Sequence, residues 1–283
     1  MEEKNNWDLI IKPQNKWYQL DLASIWHYRD LLMLLVRRDF VSVYKQTILG
    51  PLWFFIQPII TSLTFTFIFS GIANISTDGN PAILFYMAGI TLWTYFSDCL
   101  TKTSNTFIAN AGVFGKVYFP RLIVPLSVLV SNLIKFGIQF LIFICVWIYF
   151  LMSKSNLHVH WQLMWLLPIL ILMMAGLGLG FGVLISSLTT KYRDLTFLIG
   201  FGVQLLMYGS SVVLPISTMS DKIKVIMLLN PLTSIIEAFK YIFLGSGFFE
   251  PFWLIYSFGI MVVFIAIAVI TFSKVEKSFM DTV

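Results

Sequence analysis

The chain has 283 residues, 58% hydrophobic and only 12% charged, with a formal net charge of +5 and a mean hydropathy of +0.84. Soluble domains carry about 25% charged residues, and the apolar runs here exceed the roughly 18–20 residues that cross a bilayer. The composition therefore excludes a soluble globular domain and describes an all-α, polytopic membrane protein. The positive balance does not make a nucleic-acid face: seven of the 19 Lys and Arg precede Gly50, and most others sit in short loops, where they report topology.

Residues 1–50 read as a cytoplasmic N-terminus ending in an interfacial helix. The first 40 are too charged and interrupted for a cleavable signal peptide. Leu22, Ile25, Trp26, Arg29, Leu32, Met33, Val36 and Phe40 recur at helical spacing, flanked by Asp30, Arg37, Arg38 and Asp39. A helix of this kind lies in the membrane interface, with Trp and Arg at headgroup level. Gly50-Pro51 then marks the turn into the bilayer, since Pro is tolerated in a helix's first turn.

Residues 51–283 read as a transmembrane domain of six spans, at about 52–72, 82–108, 122–152, 162–189, 196–215 and 252–273. The loop over 72–81 has no Lys or Arg. The loop over 109–121 carries Lys116 and Arg121, the fourth-to-fifth connection carries Lys191 and Arg193, and the C-terminus carries Lys274 and Lys277. This alternation predicts cytoplasmic termini. The loop over 154–160 and the segment over 216–250 then face outward. Within 216–250, two apolar stretches of roughly ten residues flank Asn230-Pro231. Each is too short to span, which predicts an outer re-entrant pair of helices.

Ionisable groups at mid-bilayer cost at least ~2.5 kcal/mol each, and only Asp98 in the second span and Lys135 in the third stand well inside. Their similar depth predicts an interhelical ion pair, with Lys102 one turn from Asp98. Two spans carry a polar stripe at three- and four-residue steps: Trp53, Gln57, Thr61 and Thr64 in the first, and Phe201, Gln204, Tyr208 and Ser211 in the fifth. Neutral hydrogen-bonding groups among aromatics suit sugar rings better than a bare ion; equally, Ser and Thr hydrogen-bond helices together. In the fourth span, AGLGLGFG sets Gly176 four residues from Gly180 and Gly178 four from Gly182, a pattern for close helix approach.

No sequence of the form GxxxxGK[ST] occurs, nor a nucleophile elbow, nor HExxH. No catalytic residue, metal or cofactor is expected in this chain. His158 and His160 lack acidic or Cys company and read as interfacial. Cys99 and Cys145 both fall in apolar segments and suggest neither a disulfide nor a metal cluster.

VYKQTILGPLW, NAGVFGKVYFPRLIVPLS, KYRDL and LLNPLTSIIEAFKYIFLG, in this order, resemble the permease subunit of type 2 ABC transporters. The resemblance runs in register from about Trp26 to the C-terminus and is strongest to the subfamily exporting lipid-linked polysaccharides, typified by O-antigen export permeases. It implies a homodimer in the bacterial inner membrane working with two copies of a separate ATPase subunit, which binds ATP and Mg. The interfacial helix and the 109–121 loop would meet that ATPase, through Arg37, Arg38, Tyr44, Lys45 and Gln46 on one side. On the other side, Asn110, Gly115, Lys116, Tyr118, Phe119, Pro120 and Arg121 would form the coupling loop. Arg37, Arg38, Tyr44 and Lys45 would also receive the lipid headgroup. The fifth span and the 215–247 stretch would line and cap the path. Three positions depart from the family pattern: Val43 where an Arg is usual, Lys135 where the third span has an acid, and Val212 where a Pro is common. Capsule or teichoic-acid-type cargo is the close rival. Drug or small-lipid export by a type 2 ABC permease is the alternative within the family, and a membrane glycosyl- or acyltransferase and a proton-coupled carrier are the alternatives from other classes. The last two require His or carboxylate constellations that the sequence lacks.

Overall fold

A computed structural model describes residues 22–45, 48–114, 119–153, 157–189, 192 and 194–282, and every regular element among them is helical. In chain order these are α1 (Leu22–His27), α2 (Arg29–Tyr44), α3 (Trp53–Phe65, continued by a π-helical stretch over Thr66–Ile72), α4 (Ala82–Ser104) and α5 (Thr106–Phe114). There follow α6 (Ile123–Met152), α7 (Leu167–Thr189, preceded by a 3₁₀ turn over Trp161–Leu166), α8 (Leu195–Tyr208), α9 (Asp221–Leu229), α10 (Pro231–Leu244) and α11 (Pro251–Thr282). Five of the helical stretches are long and apolar enough to cross a membrane: Trp53–Ile72, Ala82–Ser104, Ile123–Met152, Trp161–Thr189 and Pro251–Lys274.

The two GxxxG pairs of α7 explain how the bundle is assembled. They lie on different faces of one helix. A Cβ added at Gly178 would sit 2.8 Å from Cys99 Cβ, and one at Gly182 would sit 2.7 Å from Thr103 Cβ, so this face is pressed on α4. A Cβ at Gly176 would meet Met261 Sδ at 2.5 Å and one at Gly180 would meet Ile265 N at 3.2 Å, so the other face is pressed on α11. In lipid there is no hydrophobic drive to join helices, and close backbone approach supplies van der Waals contact instead. α4 and α7 thereby form the centre, and α3, α8 and the lipid-facing side of α11 form the rim.

The fifth span is shorter than the sequence predicts. α8 ends at Tyr208 after 14 residues, about 21 Å at 1.5 Å per residue, against a hydrocarbon core of about 30 Å. Beyond it the chain turns inward over 209–213, burying Ser210, Ser211, Val212 and Val213. Gly89 of α4 permits this approach: its added Cβ would lie 3.2 Å from Val212 Cα. An apolar run cannot by itself distinguish a helix from a buried apolar turn, which is why 196–215 looks continuous. The second span also departs from expectation, stopping at Ser104; α5 restarts at Thr106 and runs to Phe114, into what reads as loop. Gly50 has φ +50° and opens a 3₁₀ turn over Gly50–Leu52, which makes the bend into α3.

α9 and α10 are bent by 106° at Asn230-Pro231, the geometry of a re-entrant pair or of a broken span. Asn230 caps α10, its Oδ1 accepting from Leu232 N at 3.1 Å, while its Nδ2 donates to Gly209 O at 2.9 Å. Pro231 occupies the first turn and Gly245, at φ +73°, ends the helix. α10 is packed against α4, α7 and α11, and its Phe239 and Phe243 interlock with Phe140, Phe143 and Trp147 of α6, with Trp147 Nε1 donating to Phe243 O at 2.9 Å. A second, smaller core joins Leu35 of α2, Phe107 and Phe114 of α5, Phe119, Ile123 of α6, Val183 of α7 and Phe272 of α11.

Candidate functional site

The residues singled out from the sequence fall into three places. The first is the rim. Trp53, Gln57 and Thr64 are exposed along α3, because Phe54, Pro58 and Ser62, one position on, face the core. Thr61 is half-buried and its Oγ1 returns to Gln57 O at 2.9 Å, the backbone bond that Thr makes within helices. On α8, Phe201, Gln204 and Tyr208 are exposed as a row. Ser211 departs from that row: the helix has ended, its side chain is fully buried, and its carbonyl accepts from Lys240 Nζ. Within one subunit the two rows therefore line a surface, not an enclosed path.

The second place is the base of the bundle, where α2, α5 and the start of α6 meet. Arg37, Arg38 and Lys45 are exposed on or just after α2, and Arg38 Nη2 bonds Asp39 Oδ1 at 2.8 Å. Tyr44 ends α2; its side chain, like Gln46, lies outside the described residues. So do Gly115, Lys116 and Tyr118. Asn110 is half-buried, its Nδ2 donating to Thr106 O at 2.9 Å, and Pro120 is half-buried. Phe119 and Arg121 both point inward in this subunit. Phe119 packs 5.7 Å from Phe114, and the Arg121 guanidinium lies 5.6 Å over the same ring. Within the subunit these two side chains cross-link the lower core, and the reason is physical: Arg offers a weakly hydrated plane that an aromatic face attracts.

The third place is a cavity of about 400 Å³ beside that base, walled by α2, the α4–α5 break and α6. The structure brings Asp98 and Lys135 together on its flank, with Lys135 Nζ 2.5 Å from Asp98 Oδ2. Neither is dry: their side chains keep 26% and 16% exposure. Lys102 Nζ donates instead to Asn132 Oδ1 on α6, at 2.9 Å.

Sequence reasoning missed a fourth place. Glu237 and Lys240 sit on α10, one turn apart and with side chains 2% and 0% exposed. Lys240 Nζ lies 3.6 Å from Glu237 Oε1, a Coulombic contact too long for a hydrogen bond, and 3.6 Å from the Phe85 ring centroid. Glu237 Oε2 accepts from Phe248 N at 2.8 Å. The signal was present, since an i,i+3 Glu and Lys interrupt IIEAFKYIF, but a re-entrant segment read as outward-facing makes such charges look solvated. Nearby, His160 Nδ1 lies 3.0 Å from Tyr241 O and its ring stacks on Tyr241 at 4.1 Å, which occupies it structurally. Among the described residues no group of three or more His, Cys, Asp or Glu is arranged to hold a metal ion.

Residues 30–244 match the family model described as ABC-2 type transporter, which runs from α2 through α10. Among curated proteins, two O-antigen export system permease proteins RfbA from Klebsiella pneumoniae are each 27% identical over 254 residues, 89% of this chain and 94% of theirs. An O-antigen export system permease protein RfbA from Myxococcus xanthus is 24% identical over 224 residues, 78% of this chain and 83% of its own.

Proposed function

The chain belongs to the ABC-2 type transporter family, and from that premise we propose that it is the permease subunit of an ATP-driven exporter carrying a lipid-linked, O-antigen-like polysaccharide across the bacterial inner membrane. The observation that supports this most directly is coverage: relatives named O-antigen export permeases align over 89% of this chain and 94% of their own length. In this reading a homodimer of the chain sits on two copies of a separate ATPase subunit, which holds ATP and Mg and performs the hydrolysis, and both termini are cytoplasmic.

The mechanism follows from which parts are stiff and which are open. A push received at α5, the 115–121 stretch and Arg37 and Lys45 of the interfacial segment enters the lower core, where Phe107, Phe114 and Phe119 contact α6, α7 and α11. Close-packed interiors have low compressibility, so the push emerges as a rigid-body tilt of the helices. The rows on α3 and α8 line the path between two copies. Gln57, Thr64, Gln204 and Tyr208 offer hydrogen bonds to sugar hydroxyls, while Trp53 and Phe201 offer faces to the apolar side of pyranose rings. The α9–α10 pair caps the far end.

Deletion of the chain is expected to trap lipid-linked glycan on the cytoplasmic side, with export restored only by the chain together with its ATPase. Charge reversal at Lys116 is expected to abolish stimulation of the ATPase without unfolding the permease. If the purified chain alone, in lipid discs, turns over nucleotide or moves glycan, the reading is wrong.

A further inference from the structure

The outer end of the bundle is divided between a helix tied into the core and a helix lightly held. α10 is tied along its length: Ser234 Oγ lies 2.7 Å from Ser257 Oγ of α11, Glu237 Oε2 accepts from Phe248 N at 2.8 Å, and Lys240 Nζ donates to Ser211 O. α9 buries only Leu228, and its ties are shallow. Lys224 Nζ sits 3.9 Å over the Phe248 ring, and the Tyr256 hydroxyl donates to Leu229 O at 3.2 Å. The two helices meet at Asn230-Pro231, where Pro231 has no N–H to give to the preceding turn. Behind that joint lies an apolar cavity of about 470 Å³, walled in part by Gly209, Asn230 and Pro231, so the joint is not packed solid.

The loop before α4 clasps both sides of this division. Residues 77–80 read TDGN. Asp78 and Gly79 hold φ +55° and +78°, and Asn80 N donates to Thr77 O at 3.1 Å, which makes a type I′ turn. Thr77 Oγ1 closes the turn on Asn80 O at 2.7 Å, and the chain passes directly into Pro81 and α4, at the centre of the bundle. From this rigid tip Asn80 Nδ2 donates to Ser246 Oγ, just beyond α10, while the Asp78 carboxylate accepts from Ser217 Oγ, ahead of α9. Asp78 is also near enough to Lys240 to interact with its charge.

We propose that residues 217–229 are a lid over the outer end, that they swing at Asn230 while α10 stays seated, and that the 77–80 turn is the latch. Opening breaks Asp78–Ser217 and keeps Asn80–Ser246. The physical reason is the unequal cost of the two movements. Groups at the outer surface exchange their partners for water with little net loss. Unseating α10 would instead separate Glu237 and Lys240 where neither meets water, the strongly unfavourable case. That the lid passes glycan rests on the function proposed above; the latch and the seated α10 do not.

The first test is independent of transport and uses the full chain with its ATPase in lipid discs, carrying Cys99→Ala and Cys145→Ala. A thiol placed by Leu228→Cys is expected to react with a water-soluble maleimide about fivefold faster once Asp78→Ala releases the latch, while Ile235→Cys, fully buried on α10, stays protected. Should Asp78→Ala lower the melting temperature, Ser217→Ala, at an exposed site, is expected to give the same acceleration. Unchanged labelling of Leu228→Cys in both overturns the latch, and labelling of Ile235→Cys that rises in step overturns the seated α10. The second test reads glycan export in cells. Asp78→Cys with Ser217→Cys, joined by a short bis-methanethiosulfonate, is expected to cut export about tenfold, with recovery on reduction showing that the fold is intact. Ser234→Cys with Ser257→Cys, closed by oxidation, is expected to leave export unchanged. Full export through the joined lid overturns the lid as the moving part. Latch-dependent labelling in a complex that exports no glycan leaves the lid standing and overturns only the reading of function.

Discussion

α8 and α10 are both 14 residues long and both predominantly apolar, yet they meet opposite fates. α10 carries Glu237 and Lys240 and buries 12 of its residues, whereas α8 carries no charge and buries only Ile199. Hydropathy would order them the other way. The difference teaches that burial here follows from partnership. Glu237 and Lys240 enter the core because each finds the other, a backbone group and, for Lys240, an aromatic face. α8 stays outside because its small residues meet nothing: added Cβ atoms at Gly200 and Gly202 would have no neighbour within 4 Å. A helix with an open face and a Gln-Tyr row is suited to a second copy, a substrate or lipid, and a helix whose charges are paired inside the core is suited to hold a structure shut.

The comparison breaks first at the buried pair. Lys240→Met leaves Glu237 as an unpaired buried acid and is expected to destabilise the chain by about 3–5 kcal/mol, while Glu237→Gln with Lys240→Met recovers most of the loss. Thermal unfolding of the purified permease checks this; equal destabilisation by the single and double changes would show that shape, not charge, holds α10. Next in size is glycine packing. Gly178→Leu, which meets α4 at 2.8 Å, is expected to cost about 1–3 kcal/mol by overpacking, whereas Gly200→Leu on α8 stays within about 0.5 kcal/mol. The half-wet pair at the base comes third. Asp98→Asn and Lys135→Met are expected to couple by about 1 kcal/mol in a double-mutant cycle, less than the buried pair because solvent screens them; strict additivity would remove the pair. Smallest in stability, within about 0.5 kcal/mol, are Gln57→Ala and Gln204→Ala, and their effect is expected in surface glycan instead. Unchanged export in both would mean that the rim rows face only lipid.

The outline of the fold was legible because its signals are local. Runs of apolar residues longer than a bilayer, the bend at Gly50-Pro51, the GxxxG pairs of α7 and the break at Asn230-Pro231 each act within a turn or two of chain. Asp98 and Lys135 were legible as a pair because depth along a helix can be counted. What was hidden needed a neighbour from far along the chain. Phe119 and Arg121 look like surface in a basic loop until Phe114 is set beside them. Ser211 looks like the last step of a helical row until the chain turns at Gly209 and Lys240 takes its carbonyl.

By itself, then, the sequence determined an all-helical membrane protein, its long spans, its small-residue contacts and the absence of the common ATPase motif, since periodicity and composition are properties of adjacent residues. Only the tertiary structure decided which polar groups are matched. It joined Lys240 to the Ser211 carbonyl and the Phe85 ring and Glu237 to the Phe248 amide, and it turned Phe119 and Arg121 inward onto Phe114. Matching depends on three-dimensional distance, and helices fix spacing only along themselves.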